Sequence, residues 1–102
     1  MSGRILQLNF RFGVSASDYE GAVAPLAEQY AAVPGLRWKI WIINEEEGEA
    51  GGLYLFEDEE ALNACLASPL TAQVTAHPAL SDFSVKRFDV MEEVTKTTRG
   101  PV

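Results

Sequence analysis

Trp38, Lys39 and Trp41 fall on one short apolar segment, and Tyr54 follows on the next. Indoles stack on flat rings and keep one N–H donor, a phenol hydroxyl relays a proton or hydrogen-bonds a substrate oxygen, and an ammonium neutralises an anion. Together they suit a pocket for a hydrophobic, electron-rich aromatic small molecule. Three residues outside this cluster could serve the same site. Arg87 offers a second cation, and His77, the only histidine, is a natural general base by its intrinsic pKa. Asn9 can orient a carbonyl or a bound water. Each has an ordinary counterpart: core or interface packing for the tryptophans, a half-buried strand residue for Tyr54, a cross-strand charge pair for Lys39, and a solvated or interface position for Asn9. His77 stands before Pro78 at a helix end, where a histidine often only complements the helix dipole.

Composition narrows the choices further. Fifteen acidic residues against eight basic ones give a net charge of −7, which repels a phosphate backbone, so no nucleic-acid partner is expected. One cysteine and one histidine leave no disulfide and no metal site of ordinary ligands. Cys65 reads as a small buried hydrophobe. Gly48, Gly51 and Gly52 sit in and after a hairpin turn, not between a strand and a helix, so they form no phosphate cradle. No apolar run reaches the roughly 20 residues of a membrane span, and no secretory signal is visible. A cytoplasmic protein with no membrane partner is therefore expected.

The elements that must position these groups follow from periodicity. Leu6, Leu8, Phe10 and Phe12 alternate with Gln7, Asn9 and Arg11, as in a half-buried strand. Ser17 and Glu20 fit a capping box, and Tyr19, Val23, Leu26 and Tyr30 recur at helical spacing up to Pro34-Gly35, with a kink expected at Pro25. Leu36 to Ile43 is a second strand with Leu36, Trp38, Ile40 and Ile42 on one side and Arg37, Lys39, Trp41 and Ile43 on the other. Gly51 to Glu57 is a third strand, whose glycines permit a bulge or a close approach by another group. Asp58 and Ser68-Pro69 start two short helices, and Asp82 to Val90 is a fourth strand. Residues 1–92 thus make a single domain, and residues 93–102 a tail expected to be mobile or draped on a partner.

The order β-α-β-β-α-β is that of the ferredoxin-like α+β class, with helices on one face of a four-stranded antiparallel sheet. Both strand parities carry aromatics, so the uncovered face is also apolar. A homodimer, sheet against sheet, would cover it.

Several segments match a known family in order and spacing: Leu6-Gln7-Leu8 with Phe10, Pro25-Leu26-Ala27-Glu28, Pro34-Gly35, Trp38-Lys39 with Trp41, Glu49-Ala50-Gly51-Gly52 with Tyr54-Leu55-Phe56, and Phe88-Asp89-Val90. Through them the chain resembles the YdhR-type mono-oxygenase family of the dimeric α+β barrel superfamily. The resemblance implies a dimeric barrel and oxidation of a phenolic or quinone-like aromatic by dioxygen, with no cofactor. Such chemistry needs a dry aromatic cavity, a proton acceptor or relay, and a fixed cation beside the substrate anion. Tyr54 or His77 would handle the proton, Arg87 would stabilise the charge, and Trp38, Trp41, Asn9 and Lys39 would bind the substrate. A non-catalytic binding or interaction module, and an isomerase or lyase of the same superfamily, are the rival readings.

Overall fold

Four strands form one antiparallel sheet in which the chain's second, third, first and fourth strands lie side by side, and helices join them as the ferredoxin-like pattern requires. The computed structural model describes residues 3–102. The strands are β1 (Arg4–Phe12), β2 (Leu36–Asn44), β3 (Glu49–Phe56) and β4 (Leu80–Asp89). The helices are α1 (Ala16–Val23), α2 (Ala27–Ala31), α3 (Glu59–Leu66), α4 (Pro69–Thr75) and α5 (Glu92–Thr97). No helix among the described residues is long and apolar enough to cross a membrane.

Leu6, Leu8 and Phe10 alternate inward from β1 and meet Tyr54, Phe56 and Ala50 of β3 beneath the helices. Tyr19, Tyr30, Leu62, Cys65 and Val74 close this core from the helical side. Burying a large side chain of this kind contributes roughly 1.5–3 kcal/mol. Cys65 is buried, as its apolar helical face implied.

Local signals shift in three places. The first helix is capped by Ser15, not Ser17: its hydroxyl accepts the Asp18 amide at 3.0 Å. Pro25 produces the expected break as a 3₁₀ turn over Ala24–Leu26, since it has no amide to donate. A bulge at Arg37 moves Leu36 to the inner face: Leu36 pairs with Phe56 while Trp38 pairs with Leu55. Beyond the bulge the expected alternation holds, with Lys39, Trp41 and Ile43 inward and Trp38, Ile40 and Ile42 outward.

The boundary drawn at residue 92 falls at the start of α5. From the β4 edge, residues 90–102 return to the opposite edge, where Trp38 Nε1 donates to the Pro101 carbonyl at 2.8 Å. Leu55, which points to the outer face beside Trp38, is completely buried. The rest of that face is open, with Ile40 48% and Phe88 49% exposed.

Candidate active site

Register brings the site together. Lys39 on β2 lies directly across from Tyr54 on β3, and Trp41 lies across from Gly52. A Cβ on Gly52 would stand 2.8 Å from Lys39 Cε and 3.2 Å from Tyr54 Cε1, so the bare glycine is what lets the lysine stem lie down along the sheet. From above, the kinked first helix lowers Tyr30 onto the same spot. Its ring meets Trp41 edge-on at 5.6 Å between centroids and Tyr54 at 5.8 Å. Lys39 Nζ ends 3.5 Å from the centroids of Tyr30 and Trp41 and 4.5 Å from that of Tyr54. Desolvated cation–π contacts of this sort are worth about 2 kcal/mol each. Among the described residues Lys39 has no ion-pair partner.

An ammonium held by rings alone is poorly compensated for the water it has lost. Burial therefore draws the Lys39 pKa from 10.5 down to about 7, against a smaller opposing pull from Cys65. Burial acts on the phenols in the other direction. It pushes Tyr19 up to about 12 and Tyr54 further, in both cases with help from neighbouring Tyr30. Tyr30 is raised chiefly by burial as well. Tyr54 and Thr71 lie close enough to offset part of that rise, and the same contact raises Tyr54, yet neither meets the Tyr30 hydroxyl in full hydrogen-bonding geometry, and this buried oxygen has no partner among the described residues. The result is a dry centre with an amine that titrates near neutrality and hydroxyls that stay protonated.

Lys39, Tyr54 and Trp41, three of the residues singled out in the sequence, meet here. The other four do not. Trp38 faces outward and holds the C-terminal segment. Asn9 is on the outer face too, where Nδ2 donates to Glu49 Oε2 at 3.1 Å and Oδ1 is buried without a partner. Arg87 is exposed on the edge strand β4, and β1 separates it from Tyr54: Leu6 pairs with both. His77 is exposed beyond the end of α4, with Nδ1 accepting the Ala79 amide at 3.1 Å. It borders a groove of about 320 Å³ between α1 and α4. Tyr19, Val23, Leu26 and Val74 line this groove and also the void at Lys39, which measures only about 10 Å³, room for at most one water.

Tyr30, Tyr19 and Gly52 were not singled out as site residues. The two tyrosines matched the helical apolar stripe and read as core; the available signal was that both carry a hydroxyl that a core must satisfy. Gly52 was legible only as a place of close approach.

A family model described as "Putative mono-oxygenase ydhR" matches residues 5–101. The chain belongs to the ydhR family. The segments Trp38-Lys39 with Trp41, and Glu49-Ala50-Gly51-Gly52 with Tyr54, through which the sequence resembles that family, supply Lys39, Trp41, Gly52 and Tyr54 to the cage, and Tyr30 comes from outside them. No curated protein matches the chain by sequence. Among solved structures, it is similar to SnoaB, a cofactor-independent oxygenase from Streptomyces nogalater, at 19% identity and a TM-score of 0.73, over 90% of this chain and 96% of that one. It is also similar to NE2512, a protein of unknown function from Nitrosomonas europaea, at 21% identity and a TM-score of 0.69, over 89% and 91% of the two chains. A dimeric ferredoxin-like protein of unknown function from Thermobifida fusca matches at 18% identity and a TM-score of 0.65, over 88% and 93%. At these identities the likeness to solved structures is one of fold.

Proposed function

We propose that this ydhR-family protein is a cofactor-independent mono-oxygenase for a phenolic or quinone-like aromatic, working in the inner cleft of each subunit of a homodimer. One observation carries the reading: Lys39 Nζ sits 3.5 Å from two ring centroids with no carboxylate among the described residues to fix its charge. Such an amine can take a phenolic proton and remain beside the phenolate as its counter-charge. The phenolate supplies the electrons that dioxygen needs. For an anthrone-type substrate the balance closes without an external reductant: a ring CH₂ and O₂ give a carbonyl and water.

In this reading Lys39 is the base and the counter-charge, Tyr54 donates a hydrogen bond to the substrate oxygen, and Tyr30 and Trp41 hold the ring. Arg87 and Asn9 lie away from the cleft, so the charge-stabilising role expected of Arg87 passes to Lys39. Ile40 and Phe88 on the outer face, with Ile5, Ile42 and Leu53 half-buried around them, would be covered by the second subunit.

Oxygen uptake with a panel of anthrones and hydroquinones tests the chemistry. Turnover above buffer, lost in Lys39→Met, is expected; rates equal to buffer would sink it. The rival reading is a binding module with no turnover. That reading predicts tryptophan quenching by the same compounds without oxygen consumption.

A further inference from the structure

A primary amine is a nucleophile only as its neutral form, and in water at neutral pH a lysine is almost wholly protonated. Lys39 escapes this in a specific way. Its stem lies over Gly52, its Nζ is enclosed by Tyr30, Trp41 and Tyr54, and no anion among the described residues holds its proton. Against it packs Tyr30, 2% exposed, whose buried hydroxyl has no hydrogen-bond partner. Beyond Tyr19, Val23, Leu26 and Val74, which border both spaces, lies the groove of about 320 Å³, large enough for a bicyclic ring and lined mainly by apolar side chains.

We propose that Lys39 captures an aromatic aldehyde or ketone as an imine, with the shared wall of Tyr19, Val23, Leu26 and Val74 moving aside so that the ring occupies the α1–α4 groove and the carbonyl carbon reaches Nζ. The Nζ lone pair attacks that carbon, the C–N bond forms, and the carbonyl electron pair moves to oxygen. Nitrogen gives up both of its protons, oxygen gains both, and the carbinolamine loses its oxygen as water while nitrogen forms the C=N bond. No oxidant or reductant takes part. The unpartnered Tyr30 hydroxyl is the donor available to the departing oxygen. Once protonated, the imine is a cation, and the three rings that surround the ammonium would hold it in the same place. With burial drawing the Lys39 pKa to about 7, roughly half of the amine is neutral at that pH. The inference rests on the inner cleft as the ligand site, and not on the oxygen chemistry.

Borohydride trapping tests it on the full chain. Incubation with benzaldehyde or 2-naphthaldehyde at pH 7, reduction, digestion and mass spectrometry should place an alkylated amine on Lys39 at a yield at least tenfold above the exposed Lys86 and Lys96. The Lys39 adduct should vanish in Lys39→Arg. It should fall several-fold in Val74→Trp, which fills the shared wall and keeps the amine, provided circular dichroism shows that variant folded. Equal labelling of the three lysines, or no Lys39 adduct with either aldehyde, would overturn the proposal. An adduct without oxygen uptake would count against the oxygenase reading alone, and uptake without an adduct against this one alone.

Discussion

Trp38 and Trp41, three residues apart on one strand, serve the two faces of the sheet in unlike ways. Trp41 points under the helices and gives its ring face to a buried amine, while Trp38 points outward and uses its N–H to hold the returning chain. The inner face is dry at its centre around Tyr54, where it encloses a charge and one orphaned hydroxyl that cost stability, and toward its edges it leaves Trp41, Ile43 and Val85 partly exposed. On the outer face the polar groups, the buried Asn9 Oδ1 apart, reach water or one another, and much of what is left uncovered is hydrocarbon.

The largest effect should separate two adjacent glycines. A Cβ at Gly51 would stand 2.0 Å from the Leu8 carbonyl oxygen, which is backbone and cannot turn aside. Gly51→Ala should therefore cost about 3 kcal/mol in urea unfolding by forcing β1 and β3 apart. Gly52→Ala presses on no backbone atom so closely; it meets the flexible end of Lys39 at 2.8 Å and the Tyr54 ring at 3.2 Å, and should cost about 1 kcal/mol while disturbing both side chains. Equal losses would mean that the two glycines do not differ as described.

Next comes Lys39→Met, which should abolish turnover yet raise stability at pH 6 by on the order of 2 kcal/mol, because an undercompensated charge leaves the cleft. The wild-type pH profile follows from the same residue. Between pH 7 and 10 the unfolded chain keeps the Lys39 proton that the folded chain has released, so stability should climb with pH. Above about 10 the sign reverses. The folded chain then retains phenolic protons on Tyr19, Tyr30 and Tyr54 that the unfolded chain gives up. The buried Cys65 thiol, also raised by burial, works against the climb above its ordinary pKa of 9.0. Thermal melts at constant ionic strength would read this maximum, and its rising limb should disappear in Lys39→Met. A flat profile in the wild type would remove the buried amine from the account.

Changes on the outer face should be smaller and of another kind. Ile40→Asp should weaken self-association at least tenfold in sedimentation while leaving the alkaline profile intact. If the profile moves with it, the faces are coupled. Smallest of all, Trp38→Phe keeps the ring and deletes one hydrogen bond, for about 1 kcal/mol, visible as faster amide exchange in residues 92–102. Unchanged exchange there would show that the bond does not hold the segment.

Much of the fold was written in local pattern. Strict alternation marked β1, and Ser68-Pro69 and Asp58 announced α4 and α3 through caps that the structure retains. Alternation says which residues share a face, but not which face the helices choose. With aromatics on both parities of β2, the sequence left the cleft on either side, and the Arg37 bulge lay beneath its resolution because a bulge shifts one residue without changing composition. The site was harder for a similar reason. Lys39 reads as a surface cation because strand lysines usually are. Its burial depends on a missing side chain thirteen positions later and on a helical tyrosine nine positions earlier. Arg87 and His77 drew notice by type alone, and chemistry by type cannot report distance.

One consequence of the caged amine needs no ligand to be seen. The protons on the last carbon of Lys39 lie within the shielding cones of neighbouring rings, so their magnetic resonance signals should be displaced far upfield of any other lysine's. A molecule that enters the cleft must move that carbon and return the signals toward their usual place, which gives the protein a built-in reporter of occupancy at a single atom.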